Sequence, residues 1–173
     1  GYTNTRVVKF SPEGKYLTSW GTSSEGKANP GPNEMHTVHS VAVGRDRKVY
    51  VSDRTNSRIQ IFDENGKFLD MWTNIRRPYH VLMSRDQFLW VSDGETHKML
   101  KYDLTGKFLY GWGTFGPMAG RFNGVHQFSV DQENNLYTAE VFNGRAQKFR
   151  PRKGADPAKL TGQELRHGAL WTR

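Results

Sequence analysis

An all-β chain arranged as a β-propeller is the fold class this sequence predicts, on three observations. The tetrapeptide Gly14-Lys15-Tyr16-Leu17 returns as Gly66-Lys67-Phe68-Leu69 and as Gly106-Lys107-Phe108-Leu109, at offsets of 52 and 40 residues. Around each copy, Val, Ile, Tyr and Phe alternate with polar residues at period two, not at the i, i+3, i+4 spacing of a helix. Turn-forming pairs, Asn65-Gly66 and Thr105-Gly106, fall at matching places in successive units. Four-strand units recurring every ~40–50 residues are the mark of blades packed face to face around a central channel.

Each element has its own justification. A partial first blade, residues 1–21, holds the basic-to-aromatic strand Arg6–Phe10 and the strand that opens at Tyr16. The blade at about 38–72 reads Val38–Val43, Val49–Asp53, Arg58–Phe62 and a strand from Phe68, rich in β-branched and aromatic residues. The blade at about 79–113 repeats it as Tyr79–Met83, Leu89–Asp93, Lys98–Tyr102 and a strand from Phe108. Residues 125–149 give Val125–Val130, Leu136–Glu140 and Arg145–Phe149, with no Gly-Lys sequel. Trp20, Trp72 and Trp112 recur in the fourth strand and read as blade packing. Thirteen strands make about three and a half blades, an incomplete ring with unpaired edges. The expectation is that roughly two more blades of a longer parent, or another chain, cover those edges.

Composition narrows the classes further. At 173 residues the chain suffices for one domain, and 13% aromatic residues argue for a packed core over disorder. No apolar run approaches the ~20 residues of a bilayer-spanning helix. With no Cys, thiolate chemistry, disulfides and zinc-thiolate sites are excluded, so chemistry must use His, Tyr, Arg and carboxylates. The first six residues carry no secretory signal, and the compartment stays open. Of the net charge of +8, half sits in a basic tail, residues 150–173, where Arg150, Arg152, Lys153, Lys159, Arg166 and Arg173 face Asp156 and Glu164. Lys15, Lys67 and Lys107 recur at outer turns, which suits solubility and edge protection better than a nucleic-acid stripe. The tail holds a capping-box pair, Thr161 and Glu164, with too few apolar residues after it to bury a helix. It is expected to wrap the outer face or to be mobile.

Candidate functional residues cluster at blade starts. His39, His80 and His126 read as equivalent places on three first strands, which in a propeller are innermost, so they form a ring around the channel. Imidazoles converging there can bind Zn²⁺ through nitrogen and leave a position open for a reacting group. The alternative is a channel-mouth His that hydrogen-bonds a loop carbonyl. Tyr2 could serve as a general base if a nearby cation such as Arg6 or Arg54 lowered its pKa from about 10, or be a turn residue packing between blades. Arg54 could grip a carboxylate with its planar fork, or pair with a turn Asp. His36 and His97 read as solvated.

These residues carry a family resemblance. The stretch Gly1 to Phe10 (GYTNTRVVKF), the strand Val38-His39-Ser40-Val41-Ala42-Val43, and Val51-Ser52-Asp53-Arg54 with Asn56, Arg58, Ile59 and Gln60 together resemble the NHL-repeat six-bladed propellers. In particular they resemble the peptidyl-α-hydroxyglycine α-amidating lyases and their bacterial relatives. The resemblance covers residues 1–149, here the C-terminal part of such a propeller, and is strongest over 1–62. It implies cleavage of a carbinolamide C–N bond, giving a peptide amide and glyoxylate, at a zinc held by three His from alternate blades. By that resemblance Tyr2 is the general base, His39 and His126 are zinc ligands, and Arg54 is an active-site arginine. His80 would be a further ligand or a hydrogen-bond partner of one. It further implies a peptide or small-molecule substrate at the channel mouth and a secreted or periplasmic setting. The sequence departs from the family in three places. Blades carrying the first His and a second arginine are outside this chain. Gln127 replaces the acidic calcium ligand, which argues against an adjacent Ca²⁺, and Gly124-Val125 replaces Met-Pro. The competing class is a non-catalytic propeller that uses the same face for a peptide, sugar or protein, with RNA the less favoured partner.

Overall fold

The period-two segments become strands, and the turn glycines set their ends. A computed structural model describes residues 2–165 of the chain. Its strands are β1 (Val7–Phe10), β2 (Tyr16–Trp20), β3 (Thr22–Ser23), β4 (Glu34–Met35), β5 (Val38–Val43), β6 (Val49–Asp53), β7 (Arg58–Phe62) and β8 (Phe68–Trp72). They continue with β9 (Pro78–Met83), β10 (Leu89–Asp93), β11 (Lys98–Tyr102), β12 (Phe108–Trp112), β13 (Val125–Val130), β14 (Leu136–Glu140) and β15 (Arg145–Phe149). Antiparallel sheets form in the orders β1-β2, β5-β6-β7-β8, β9-β10-β11-β12 and β13-β14-β15, the blades of an open arc. Beyond the thirteen predicted strands, β3 and β4 add a two-residue parallel pair in the connection leading to β5. The single helical turn among the described residues is a 3-10 turn, Pro157–Lys159.

Burial follows position in the blade. All of β6, β7 and β10 is buried, whereas the innermost β5 and the outer β2, β8 and β12 carry exposed positions, so burial is deepest in the middle strands of the two four-stranded blades. The blades adhere through the fourth-strand tryptophans. The Trp20 ring lies 5.9 Å from Phe62, and Trp72 lies 5.5 Å from Tyr50 and 6.1 Å from Tyr102. Trp112 stands 5.4 Å from Phe149 in the same way, each tryptophan meeting a third-strand aromatic of the next blade.

That packing explains two of the repeated glycines. Gly66 and Gly106 occupy equivalent hairpin turns at φ +90° and +85°, and a Cβ on either would come 2.6 Å from the ring of Trp20 or Trp72. Gly14 makes the same turn at φ +82° with open space around it. Gly106→Ala is therefore expected to cost about 3 kcal/mol, from left-handed strain plus overpacking, and Gly14→Ala about 1 kcal/mol, from strain alone. Equal shifts in denaturation midpoint for the two variants would contradict this account.

The described part of the tail passes from the outer strand of one blade to the end of its innermost strand. Lys159 Nζ lies 5.8 Å from the ring centre of Tyr110 on the outer strand β12, and further along Arg85 N–H donates to Gln163 O at 2.8 Å and Leu165 N–H to Met83 O at 2.7 Å, at the end of β9 away from its start at Pro78. Leu165 packs against the core between blades, and the buried Lys101 donates to Ala158 O at 2.7 Å. Thr161 is buried, and no helix runs through the described residues 161–165. Arg166 and Arg173 lie outside the described residues.

Candidate functional site

Two sets of equivalent backbone positions build the channel mouth. The first is a bulge near the start of each innermost strand. Val38 pairs with Asp53 and Ser40 with Ser52, leaving His39 unpaired between them. Val125 pairs with Glu140 and Gln127 with Ala139, leaving His126 in the same situation. In the intervening blade Pro78 pairs with Asp93 and His80 with Ser92, so the unpaired residue is Tyr79. The expected equivalence of His39, His80 and His126 is thus corrected: Tyr79 holds the ring position and His80 lies one residue further along. A bulged residue is released from the alternation of its strand and can be aimed separately.

The second set sits at the turn after each second strand. Arg54 N–H donates to Thr37 O, Gly94 N–H to Arg77 O and Val141 N–H to Gly124 O, so Arg54, Gly94 and Val141 are equivalent. Tyr2 holds the same place in the first unit, four residues before Arg6 as Arg54 is before Arg58.

Tyr2, His39, Arg54 and His126 come together at this mouth. His39 Nε2 lies 3.1 Å from His126 Nε2, and Tyr2 Oη is 3.3 Å from the first and 3.4 Å from the second. Arg54 Nη1 donates to Tyr2 Oη at 3.3 Å, and its guanidinium carbon stands 5.2 Å from the ring centres of both Tyr2 and Tyr79. His39 Nδ1 lies 2.6 Å from Tyr79 O, which can only accept, so the proton is on Nδ1 and Nε2 presents its lone pair. Tyr79 escaped the sequence reading, yet it touches both histidines and Arg54, its ring 5.5 Å from His39, 5.2 Å from His126 and 5.2 Å from the Arg54 guanidinium carbon. Its signal is the bulge position, and Gly94 makes room for it, since a Cβ there would come 2.5 Å from the Tyr79 ring.

His80 is placed differently. Its Nδ1 lies 3.1 Å from Ser40 Oγ, which also accepts Val81 N–H at 3.2 Å, so the serine hydroxyl proton is free to be donated to Nδ1. In that tautomer Nε2 carries hydrogen. His97, expected to be solvated, instead accepts Gly124 N–H at 3.2 Å and packs on Phe115.

Burial keeps these imidazoles neutral. His39 is lowered to about 4 by desolvation, with the His126 and Arg54 charges adding to the shift against a raising hydrogen bond to Tyr79 O. His80 is lowered to about 4 by desolvation as well, and His126 is lowered by desolvation and Arg54. An unfolded His titrates near 6.5, so between about 6.5 and 4 the unfolded chain binds more protons. Stability is then full above about pH 6.5 and falls as pH drops toward 4. A urea midpoint in the presence of chelator that is lower at pH 5 than at pH 7.5 is the expected result.

The geometry can be tested against a zinc ion. Tetrahedral ligands at about 2.0–2.1 Å from Zn²⁺ stand about 3.3 Å apart, close to the 3.1 Å between His39 Nε2 and His126 Nε2. His39 and His126 therefore fit as two nitrogen ligands, and among the described residues no cluster of three His, Cys, Asp or Glu completes the set.

A buried polar clamp stands behind the mouth. Asp53 accepts Arg58 Nε at 2.7 Å and Gln60 Nε2 at 3.0 Å, while the Arg58 guanidinium donates to the carbonyls of Pro30 at 2.7 Å and Gly31 at 3.0 Å. Glu140, Arg145 and Gln147 repeat it, holding the carbonyls of Met118 and Arg121. The sequence signal is an acid followed by Asn, Arg and Gln at +3, +5 and +7, in both 53–60 and 140–147. Arg58, not Arg54, is thus the partner of the turn Asp. Lys98 and Leu100 replace Arg and Gln in the intervening blade, where the connection to be held is short.

Comparisons with known proteins agree with this architecture. The NHL repeat family model matches residues 36–62. The peptidyl-glycine alpha-amidating monooxygenase of Mus musculus is 44% identical over 68 residues, 39% of this chain and 7% of that protein. NHL repeat-containing protein 3 of Homo sapiens is 35% identical over 75 residues, 43% of this chain and 20% of that protein. Among solved structures, virginiamycin B lyase from Staphylococcus aureus superimposes with a TM-score of 0.59 at 11% identity, covering 94% of this chain and 53% of that one. Sqt1 of Saccharomyces cerevisiae gives 0.57 at 13% identity, covering 85% of this chain and 39% of that one. The chain therefore spans about half or less of the length of these relatives. It carries an NHL repeat and has a β-propeller fold.

Proposed function

We propose that this NHL-repeat propeller chain forms part of a metal-dependent lyase that splits α-hydroxyglycine peptides into a peptide amide and glyoxylate. The observation that carries the reading is the meeting of three groups at Tyr2 Oη, His39 Nε2 at 3.3 Å, His126 Nε2 at 3.4 Å and Arg54 Nη1 at 3.3 Å. The similarity of about two fifths of the chain to amidating monooxygenases supports it. The substrate hydroxyl loses its proton to Tyr2 Oη as its oxygen becomes the carbonyl of glyoxylate. The C–N electron pair leaves on the amide nitrogen, which takes up a proton, so atoms and charge balance. Arg54 sets positive charge against Tyr2 Oη and is near enough to hold the substrate carboxylate. His39 and His126 would hold Zn²⁺, which when bound acts as a Lewis acid toward the hydroxyl oxygen.

The test is glyoxylate release from an α-hydroxyglycine peptide by the full-length protein, before and after chelation and zinc restoration. Release that is lost on chelation and regained with zinc is expected. Absence of both metal binding and glyoxylate release would sink the lyase reading and leave a binding propeller that uses the same face.

A further inference from the structure

We infer that the channel mouth is divided by chemistry, cationic at Arg54 and apolar at Val141 and Phe142, and that the apolar side receives the side chain of the residue preceding the substrate's terminal hydroxyglycine. The inference rests on the lyase reading and names the peptides that the site would favour.

Equivalence of the rim positions is what makes the division legible. Tyr2 and Arg54 occupy this place on one side and form the polar half of the mouth. Gly94 leaves a gap filled by the Tyr79 ring. On the last blade the same place is Val141, half exposed, followed by Phe142, 63% exposed. A solvated pair of large apolar side chains at a functional rim has a cost that a ligand can offset by covering it.

Phe142 is held against the start of the innermost strand that carries His126. Its ring lies over Gly124, where a Cβ would come 2.5 Å from Cδ2, and Gly124 is two residues before His126. The turn beneath is fixed, because Asn143 Nδ2 donates to Glu140 Oε2 at 2.7 Å and to Gly116 O at 3.2 Å. With the terminal carboxylate on Arg54 and the cleavable carbon at Tyr2 and the imidazoles, the chain must leave toward the other side of the mouth. One extended residue spans about 3.3–3.6 Å, so the side chain before the hydroxyglycine stands one residue beyond the cleavable carbon, on the side of the mouth to which the inference assigns Val141 and Phe142.

The test separates this inference from the chemistry. N-acetyl-Phe-Gly and N-acetyl-Asp-Gly lack the α-hydroxyl, so they bind without being cleaved, and calorimetry with the full-length protein reads each affinity. The Phe peptide is expected to bind about tenfold tighter. In the double variant Val141→Ser, Phe142→Ser, whose side chains are exposed, the ratio should fall close to one with the melting temperature retained. Equal affinities in the wild type, a preference that survives in the variant, or no binding of either peptide overturns the inference. Glyoxylate from the matching hydroxyglycine peptides is measured alongside. Release without preference overturns the apolar subsite alone, whereas preferential binding without glyoxylate supports the subsite and overturns the lyase.

Discussion

Replacing Tyr2 by Phe should lower glyoxylate release from an α-hydroxyglycine peptide by about 10²–10⁴-fold, the range a positioned general base contributes. The substitution removes one oxygen from an exposed side chain, so the fold should survive it. That oxygen is the point where both imidazoles and the Arg54 guanidinium meet. On the proposed lyase reading His39 and His126 still hold the metal in this variant, so zinc content should equal that of the wild type and the loss should fall on kcat more than on KM. A Tyr2→Phe protein that keeps its metal and at least half its rate would remove Tyr2 from the chemistry.

Arg58→Ala is expected to be the most destabilising single change behind the site, at about 3–5 kcal/mol, the cost of leaving a buried charge without its partner. Asp53 is fully buried and its side-chain neighbours Arg58, Asn56 and Gln60 are tied to it. Removing the guanidinium also frees the carbonyls of Pro30, Gly31 and Glu34. Because Arg54 adjoins Asp53, the mouth should lose order with the clamp. The equivalent change Arg145→Ala should cost less, because the Arg145 side chain is 26% exposed against 5% for Arg58. Urea denaturation of the two variants checks the order, and a smaller loss for Arg58→Ala would show that the buried pair does not hold this blade.

The blades were legible because their determinants are local. Alternation at period two, Asn-Gly-type turns and a tryptophan in every fourth strand each act within a few residues, so the predicted strands from Val7 to Phe149 appear in order. The parallel pair at Thr22–Ser23 and Glu34–Met35 escaped, since two-residue strands carry no periodicity. The clamp was written in the sequence as Asp53-Asn56-Arg58-Gln60 and Glu140-Asn143-Arg145-Gln147, but its meaning depends on loop carbonyls that only the fold brings within reach.

By itself the sequence determined the repeat and the order of the strands, and it singled out Tyr2, His39, His80, Arg54 and His126 as candidates. Tertiary structure alone decided which of them share a ring. A one-residue bulge sets that choice, and a bulge is a property of strand pairing, not of a residue, so an offset of 41 pointed to His80 where pairing puts Tyr79. The 3.1 Å between His39 and His126, residues 87 apart in the chain, likewise arises from the curvature of three blades packed on one another, a long-range outcome that no local pattern encodes.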